Sequence, residues 1–493
     1  MAEKYYLAMD FGASTGRGII GSFDGSRLEM KEIHRFANYY VPVHGKCYWD
    51  IFRLVHEIME SFSKAREQFQ EDRLVSVGID TWGTDYGLVD RNGQLIGNPR
   101  CMRNADGTYV ELIQKQMTLK ELFARTGIQT IYGNTLFQMF ERLVCEDPAL
   151  KEAAHFLMLP ELMAYILTGE MYHEYTMAST SMMYSHSKRD WDRDLLRALG
   201  LPADIYSPVL LPASAHFPVT DEILGETGLK KLNYVPVGTH DTASAVAAAP
   251  LRKNEVFCSS GTWSLVGVEV PEAVISEEVY RANFSNEGTA DGGVRLLKNI
   301  MGMWILQQMV RELEREGIRL SWDEIVEQAG KAQPFRSFID VEQPQFYQAG
   351  NMIGKIRGYC EQTGQPVPQS TGELARCAYE SLAMQYRITF GRLEELLGRR
   401  LEAFRIVGGG CQNRMLNQFT ANALNRPVYT GPVECACAGN LLVQAMEDGE
   451  IGSFSEIREV VQRSFKVDTY EPQDTAMWDE GYEKYVKATA KEE

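Results

Sequence analysis

The sequence predicts an α/β protein built from two similar domains around a central cleft. The main observation is that one strand–turn–strand pattern occurs in each half of the chain, at residues 10–17 and again at 259–264. Both turns are rich in Gly, Ser and Thr, and both lie between apolar runs that are typical of strands. The length of 493 residues also favours two domains, because a single hydrophobic core seldom grows beyond about 250–300 residues.

Composition and charge argue against several classes of function. With 44% apolar and 24% charged residues, the chain resembles an ordinary globular protein. Its net charge of −17 argues against nucleic acid as a partner. We find no signal-peptide pattern and no apolar stretch of ~20 residues, so we expect a cytoplasmic protein without a membrane partner. The nine cysteines are scattered, which favours reduced thiols, although Cys360 and Cys377 remain a candidate pair.

The first half of the chain begins with strands and continues with a helix. Apolar runs predict strands at 5–9, 17–23 and 27–34, and the spacing over 50–70 predicts an amphipathic helix. A buried strand at 75–79 leads into residues 80–85 and then into a predicted hairpin with Asn92-Gly93 at its tip. A strand at 234–238 precedes a small-residue helix at 243–249, which Pro250 ends. We therefore place the two domains at residues 1–249 and 250–480.

The second half repeats the opening pattern and adds helices. Helical spacing occurs at about 299–316, 372–397, 415–424 and 439–446. A strand at 404–407 runs into Gly408, Gly409 and Gly410. Glycines at this position would let a flat nucleoside ring approach the backbone, and they would equally suit a tight turn between strand and helix.

The turn at 10–17 is the first candidate phosphate site. It matches neither GxxxxGK[ST] nor GxGxxG, because Arg17 begins a strand rather than a helix. A hairpin that binds phosphate through backbone amides, hydroxyls and Arg17 fits better, with a plain β-turn as the alternative. Asp10 ends an apolar strand, where a carboxylate needs a cation or donors, and a hydrated Mg²⁺ is a reasonable partner.

Two further segments carry candidate chemistry. Asp241 follows a strand and precedes a helix, where a carboxylate stays ionised and can accept a hydroxyl proton as that oxygen attacks phosphorus. The alternative is that Asp241 or Thr239 only caps the helix. Residues 82–85 combine aromatic, small and polar groups as sugar pockets do, although Trp82 would suit the core equally well.

Taken together, these segments resemble the FGGY family of carbohydrate kinases, within the sugar kinase–Hsp70–actin superfamily. The resemblance covers about residues 5–465 and is most specific at 10–17, 79–86, 238–245, 260–264, 297–302 and 408–413. It implies two RNase H-like domains, a sugar-binding one followed by a nucleotide-binding one. The segment at 107–139 matches weakly, so sugar contacts there cannot be transferred.

The resemblance also implies roles for individual residues. Asp241 would be the proton acceptor, and Asp10 would hold Mg²⁺ through water. The residues implied on the sugar side are Trp82, Gly83, Asp85, His240, Thr242 and Asn299. The residues implied for ATP are Ala13, Ser14, Thr15, Gly16, Arg17, Thr262, Gln307, Gly409 and Gly410.

The amino-acid sequences of segments 240–245 and 298–302 are most similar to those of family members that act on L-rhamnulose. The implied reaction is transfer of a phosphoryl group from Mg·ATP to the C1 hydroxyl of this 6-deoxy-ketohexose. Related ketoses such as L-fuculose or L-ribulose are the alternative substrates. A non-catalytic, nucleotide-gated sugar sensor is the alternative of another class, and the joint presence of Asp241, Arg17 and Thr262 argues against it.

Overall fold

The structure is a computed structural model, which describes residues 4–69, 73–105 and 107–490. The chain forms two compact units, each assembled from separate stretches of sequence. Unit 1 comprises Met1–Pro250, Glu269–Leu296 and Cys435–Phe465, and unit 2 comprises Leu251–Val268, Leu297–Glu434 and Lys466–Glu493.

Strands and helices are mixed throughout both units. The strands are β1 (Lys4–Phe11), β2 (Thr15–Phe23), β3 (Leu28–Ala37), β4 (Tyr40–Val43), β5 (Lys46–Trp49), β6 (Leu74–Thr81), β7 (Tyr86–Val89), β8 (His155–Met158), β9 (His173–Glu174), β10 (Tyr184–Ser185), β11 (Asp190–Trp191), β12 (Val209–Leu210), β13 (Phe217–Pro218), β14 (Asn233–Tyr234), β15 (Glu255–Ser260), β16 (Trp263–Val270), β17 (Ser285–Gly288), β18 (Val294–Met301), β19 (Ala403–Val407), β20 (Val428–Thr430) and β21 (Asp468–Tyr470). The helices are α1 (Ile51–Gln68), α2 (Thr108–Ile113), α3 (Leu119–Thr126), α4 (Thr135–Val144), α5 (Pro148–Glu152), α6 (Leu159–Thr168), α7 (Tyr175–Ala178), α8 (Arg193–Ala198), α9 (Asp221–Thr227), α10 (Asp241–Ala248), α11 (Glu277–Arg281), α12 (Trp304–Arg315), α13 (Trp322–Lys331), α14 (Met352–Gln362), α15 (Thr371–Leu397), α16 (Arg414–Leu424), α17 (Cys435–Glu447), α18 (Phe454–Ser464) and α19 (Thr475–Thr489).

A six-stranded sheet is the centre of unit 1, with the order β13-β14-β6-β1-β2-β3. The opening meander predicted from the sequence is confirmed, since β1 pairs antiparallel with β2, and β2 with β3. β6 joins the other side of β1 in parallel. Helix α1 packs an apolar face on this sheet and begins at the predicted cap, where Asp50 accepts a hydrogen bond from the Arg53 amide. The last residue of the predicted helix, Gln70, lies outside the described residues.

A second core lies within unit 1 and is built from residues between β7 and β12. The predicted turn with Asn92-Gly93 at its tip does form, with Gly93 at φ 78°. The hairpin that it closes is short: Val89 and Leu95 form an antiparallel bridge, and the amides of Asp90 and Ile96 donate to Gln94 O and Leu88 O at 2.9 and 2.8 Å. The regular strand partner of β7 is β8, nearly seventy residues further along the chain. Apolar strands of this kind select a partner by burial, which a local turn signal does not reveal.

Helices α10 and α17 of unit 1 pack backbone to backbone. A Cβ atom placed on Gly439 of α17 would overlap the carbonyl oxygen of Ser244 in α10. The Ser244 hydroxyl donates to Gly238 O at 2.6 Å, and the Cys435 thiol donates to Ala245 O at 3.1 Å. Small residues on both helices therefore set the position of α10, whose first residue is Asp241.

The strands that lie wholly or mostly in unit 2 have the order β18-β16-β15-β19-β20-β21. β15 and β16 pair antiparallel and form the second strand–turn–strand element predicted from the sequence. On its other side, β15 pairs parallel with β19. The helix predicted from about residue 299 is wrong at its start, because residues 294–301 form β18 and α12 begins at Trp304. Short apolar runs suit a buried strand and a buried helix equally, and Gly302 separates the two elements.

Two further expectations concern the whole described chain. Among residues 4–69, 73–105 and 107–490, the structure has no helix with both the length and the apolar character needed to cross a bilayer. All nine cysteines lie within the described residues, and each of them, including Cys360 and Cys377, is a thiol outside any disulfide.

Candidate active site

The ends of parallel strands bring the predicted sugar-side residues of unit 1 together. Asp10 of β1 lies opposite Asp80 of β6. The next residue of β6, Thr81, forms a parallel bridge with His240, and its amide donates to Thr239 O at 2.8 Å. Ligand sites of open α/β sheets commonly lie at the carboxyl ends of such strands. The candidate base is therefore next to the end of β6.

Asp241 is the first residue of α10, and His240 is its N-cap. Its Oδ1 accepts hydrogen bonds from the Thr242 amide at 2.5 Å and the Thr242 hydroxyl at 3.1 Å. His240 Nδ1 lies 3.2 Å from the same oxygen. Burial raises the pKa of Asp241, but the hydrogen bonds from His240 and Thr242 outweigh it and lower the pKa below its ordinary value. The side chain stays 35% exposed, so this carboxylate is both ionised and accessible.

Gly83 lies against the His240 ring. A Cβ atom at this position would be 3.2 Å from His240 Cδ2 and Nε2 and 3.4 Å from Thr180 Oγ1. A side chain would therefore press on the ring that caps α10. Thr84, the next residue, adopts φ 76°, which is strained for a β-branched residue, and its carbonyl accepts from Thr135 Oγ1 at 2.8 Å. Strained backbone of this kind is frequent at functional sites.

Asp85 lies beneath Trp82 with no exposed surface. Its Oδ2 accepts from the indole nitrogens of Trp49 at 2.6 Å and Trp82 at 2.9 Å, and its Oδ1 accepts from the Met102 amide at 2.8 Å. Burial raises the pKa of Asp85 to about 6, although the hydrogen bonds from Trp82, Trp49 and Met102 act to lower it. The two indole rings lie 4.4 Å apart. Asp85 thus holds a pair of tryptophans, and Trp49 is a partner that the sequence did not reveal.

We expect Asp85→Ala to lower the free energy of unfolding by about 3 kcal/mol, because three buried donors lose their acceptor. The Trp82 indole would lose the carboxylate that accepts its hydrogen bond, so its fluorescence should shift to longer wavelength. Urea unfolding followed by tryptophan emission measures both effects. Asp204→Asn, at a side chain that is 88% exposed, is the control. Equal stability of the two variants would contradict this role for Asp85.

The first phosphate-turn candidate lies between β1 and β2. Asp10 and Arg17 are paired across the hairpin, with Arg17 Nε and Nη2 donating to Asp10 Oδ2 at 3.1 and 3.0 Å. Ser14 and Thr15 are exposed at the tip of the turn, and Ala13 is half-buried. Gly16 is buried under Phe36, and a Cβ there would meet the Phe36 ring. Ser14 and Thr15 are thus exposed at the tip of a hairpin whose two strands pair in register up to Phe11 and Gly16.

Three carboxylates of unit 1 influence one another at the base of this turn. Burial raises the pKa of Asp10, as does the charge of Asp241, while Arg17 lowers it. Burial also raises the pKa of Asp80, and the charges of Asp10 and Asp241 add to that rise. Asp80 Oδ2 accepts from Asn440 at 2.6 Å, but its buried Oδ1 has no hydrogen-bond partner among the residues that the structure describes. Clustered oxygens with one unsatisfied acceptor fit a hydrated divalent cation.

In unit 2, the turn between β15 and β16 contacts the elements that the sequence predicts for the nucleotide. The Thr262 hydroxyl donates to Gln307 Oε1 of α12 at 3.4 Å. Gly410 packs on Ser260, because a Cβ there would overlap the Ser260 hydroxyl group. Gly409 is exposed, and a Cβ on it would meet nothing within 4 Å. Asn299 is half-buried on β18.

The comparisons with known proteins agree with this arrangement. Residues 5–248 match the N-terminal domain of the FGGY family of carbohydrate kinases, and residues 256–447 match its C-terminal domain. The chain is 39% identical over 487 residues to a rhamnulokinase from Bacteroides thetaiotaomicron, covering 97% of this chain and 98% of that protein. It is 36% identical over 472 residues to a rhamnulokinase from Bacillus subtilis, covering 95% and 96% of the two chains.

Solved structures show the same fold at low sequence identity. A ligand-bound xylulose kinase from Lactobacillus acidophilus has a TM-score of 0.83 at 14% identity, covering 98% of this chain and 97% of that one. Plasmodium falciparum glycerol kinase with ADP has a TM-score of 0.79 at 14% identity, covering 100% and 99%. The prediction of a two-domain α/β fold of the sugar kinase–Hsp70–actin type is confirmed. By its sequence and its fold, the chain belongs to the FGGY family of carbohydrate kinases.

Proposed function

We propose that the protein is an ATP-dependent kinase that phosphorylates the C1 hydroxyl of L-rhamnulose. Relatives named rhamnulokinase support this substrate. One of them is 39% identical over 97% of the chain, and another is 34% identical over 95% of it. The single observation that carries the chemistry is the environment of the Asp241 carboxylate. This carboxylate is accessible, and its pKa is held below its ordinary value by His240 and Thr242 despite burial.

In the proposed reaction, Asp241 accepts the proton of the C1 hydroxyl as that oxygen attacks the γ-phosphorus of Mg·ATP. The bond between the γ-phosphorus and the β,γ-bridging oxygen breaks, and ADP leaves with the bond electrons. Positioning and charge stabilisation supply most of the catalysis in reactions of this type. Trp82, Gly83, His240, Thr242 and Asn299 are the proposed sugar contacts. Asp85 would act on the sugar through the Trp82 indole that it holds.

The nucleotide is proposed to use two sets of groups. In the domain at 1–249, the turn from Ala13 to Arg17 would donate amides, hydroxyls and a guanidinium to the phosphates. In the domain at 250–480, the proposed ATP contacts are Thr262, Gln307, Gly409 and Gly410. Asp10 would hold Mg²⁺ through water, and the ion, when bound, supplies positive charge to the phosphate oxygens. Because ATP is made available inside the cell, the cytoplasm is the proposed compartment.

A substrate panel tests this proposal most directly. Purified enzyme with Mg·ATP is assayed by coupled ADP release on L-rhamnulose, L-fuculose, L-ribulose, xylulose and glycerol. We expect the highest kcat/KM on L-rhamnulose, because a pocket chooses between such sugars by a few hydroxyl and methyl contacts. Strong turnover of L-fuculose without turnover of L-rhamnulose would overturn the substrate. Sugar binding without any ADP release would instead favour the sensor.

A further inference from the structure

We propose that Glu174 is a positioning residue for Asp241, because its buried carboxylate fixes the backbone at 239–240 from which the base projects. Glu174 ends β9 and has no exposed surface. It lies 67 residues before Asp241 in the sequence, which gives no local signal that would connect them. The inference deepens the proposed function and rests on it for the catalytic readouts only.

The first set of contacts ties Glu174 to helix α7. Its Oε1 accepts from the Thr176 amide at 2.7 Å. Its Oε2 accepts from the Thr176 hydroxyl at 2.6 Å and the Met177 amide at 3.2 Å. The backbone amide of Glu174 donates to Glu161 Oε1 at 2.8 Å, so the carboxylate is carried on a backbone that is itself fixed.

The second set of contacts reaches the segment that carries the base. Glu174 Oε2 accepts from both the Thr239 amide at 3.1 Å and the Thr239 hydroxyl at 2.7 Å. The His240 amide donates to Thr176 Oγ1 at 3.3 Å, which extends the same network by one residue. On the opposite edge, the Thr81 amide donates to Thr239 O. Residues 239–240 are therefore held between β6 and Glu174, immediately before Asp241.

This arrangement puts a carboxylate in a costly environment. Burial raises the pKa of Glu174 to about 7, although the hydrogen bonds from Thr176 and Thr239 act to lower it. Arg295 is also fully buried. Burial lowers the pKa of its guanidinium, whereas the charges of Glu174 and Asp241 raise it. The two carboxylate oxygens of Glu174 accept from five donors. An amide side chain has only one acceptor oxygen and an apolar side chain has none, so this geometry requires an acidic residue.

The test begins with Glu174→Gln, which keeps the shape but turns one acceptor into a donor that faces donors. We expect kcat to fall on the order of 10²-fold, as for a base displaced by about 1 Å, while KM for ATP is unchanged. Asp192→Asn is the matched control, because Asp192 is also buried and caps α8 through the Leu195 amide. An equal loss of kcat in both variants, or none in Glu174→Gln, would overturn the proposal.

Two milder variants keep the proposal testable if Glu174→Gln does not fold. Thr239→Val removes only the hydroxyl that donates to Glu174, and Thr239→Ser retains it. We expect about a tenfold loss of kcat in Thr239→Val, equivalent to about one hydrogen bond, and a return towards wild type in Thr239→Ser. Equal rates in the two variants would contradict the proposal.

A ligand-free measurement separates this inference from the proposed function. In protein with isotope-labelled histidine, Glu174→Gln should shift the NMR signals of His240 while leaving the exposed His56 unchanged. An unchanged His240 signal would overturn the positioning role. If the wild-type enzyme phosphorylates none of the sugars and yet His240 responds to Glu174→Gln, the proposed function fails and the positioning role stands.

Discussion

Replacing Asp241 by Asn is expected to lower kcat by about 10²–10⁴-fold, the usual contribution of a positioned general base. An amide cannot accept the proton of the attacking hydroxyl, but it has nearly the same size and can still accept from Thr242 at the start of α10. The fold should therefore remain intact. Coupled ADP release measures kcat and KM for both substrates, and circular dichroism with thermal melting checks the fold.

Asp204→Asn, at an exposed aspartate, is the control for this substitution. Near-normal turnover of Asp241→Asn would exclude Asp241 as the proton acceptor. His240, and not Asp241, is the N-cap of α10, so the remaining alternative is that Asp241 only stabilises the first turn through Thr242. A loss of folding without a change in kcat of the folded fraction would favour that alternative.

The pH dependence of the wild-type enzyme gives an independent expectation for the same residue. The pKa of Asp241 lies below its ordinary value of 3.8, so the base is ionised at neutral pH. A carboxylate whose pKa is lower in the folded than in the unfolded protein stabilises the fold at pH values above its unfolded pKa. This stabilisation is lost as the pH falls through the folded pKa. We therefore expect the pH at which this group halves kcat to lie below 3.8, its ordinary pKa. A kcat that halves near pH 6 or 7, and does so equally in Glu174→Gln and Asp85→Ala, would indicate that another group is the base, because Glu174 and Asp85 themselves have pKa values of about 7 and about 6.

Gly439→Ala is the second substitution for which we expect a large effect. The added methyl group would lie 2.6 Å from the Ser244 carbonyl carbon and would overlap its oxygen. Both sides of this contact are backbone, so no rotamer change can relieve it, and α10 and α17 must separate. We expect a destabilisation of about 3 kcal/mol or more, the upper range for overpacking. Because Asp241 begins α10, kcat should fall as well.

Urea unfolding and the kcat of the folded protein measure the two effects of Gly439→Ala. Gly391→Ala is the matched control, since Gly391 lies inside α15 and a Cβ there meets nothing within 4 Å. That variant should be more stable by about 0.5–1 kcal/mol, because alanine favours helix over glycine. Equal stabilities of the two variants would show that the contact between the helices is loose.

Local patterns in the sequence predicted the elements that carry the chemistry. The meander at the start of the chain, the strand β6 and the strand–turn–strand element of unit 2 are all confirmed. Asp241 begins α10, as the following run of small residues predicts, whereas the strand predicted at 234–238 is limited to Asn233–Tyr234. Where an apolar run was short, the helix and strand periods could not be told apart, and residues 299–301, predicted as the start of a helix, are the end of β18.

The sequence by itself therefore determined the family, the fold class and the placement of Asp241 at the start of a helix, because strand ends, turns and helix starts are encoded by neighbouring residues. Only the tertiary structure decided which distant residues share the site. It placed Asp85 under Trp49, Asp80 beside Asp10, and Glu174 against Thr239. These contacts join residues far apart in the chain, and burial and hydrogen bonding across the fold, rather than local pattern, select them.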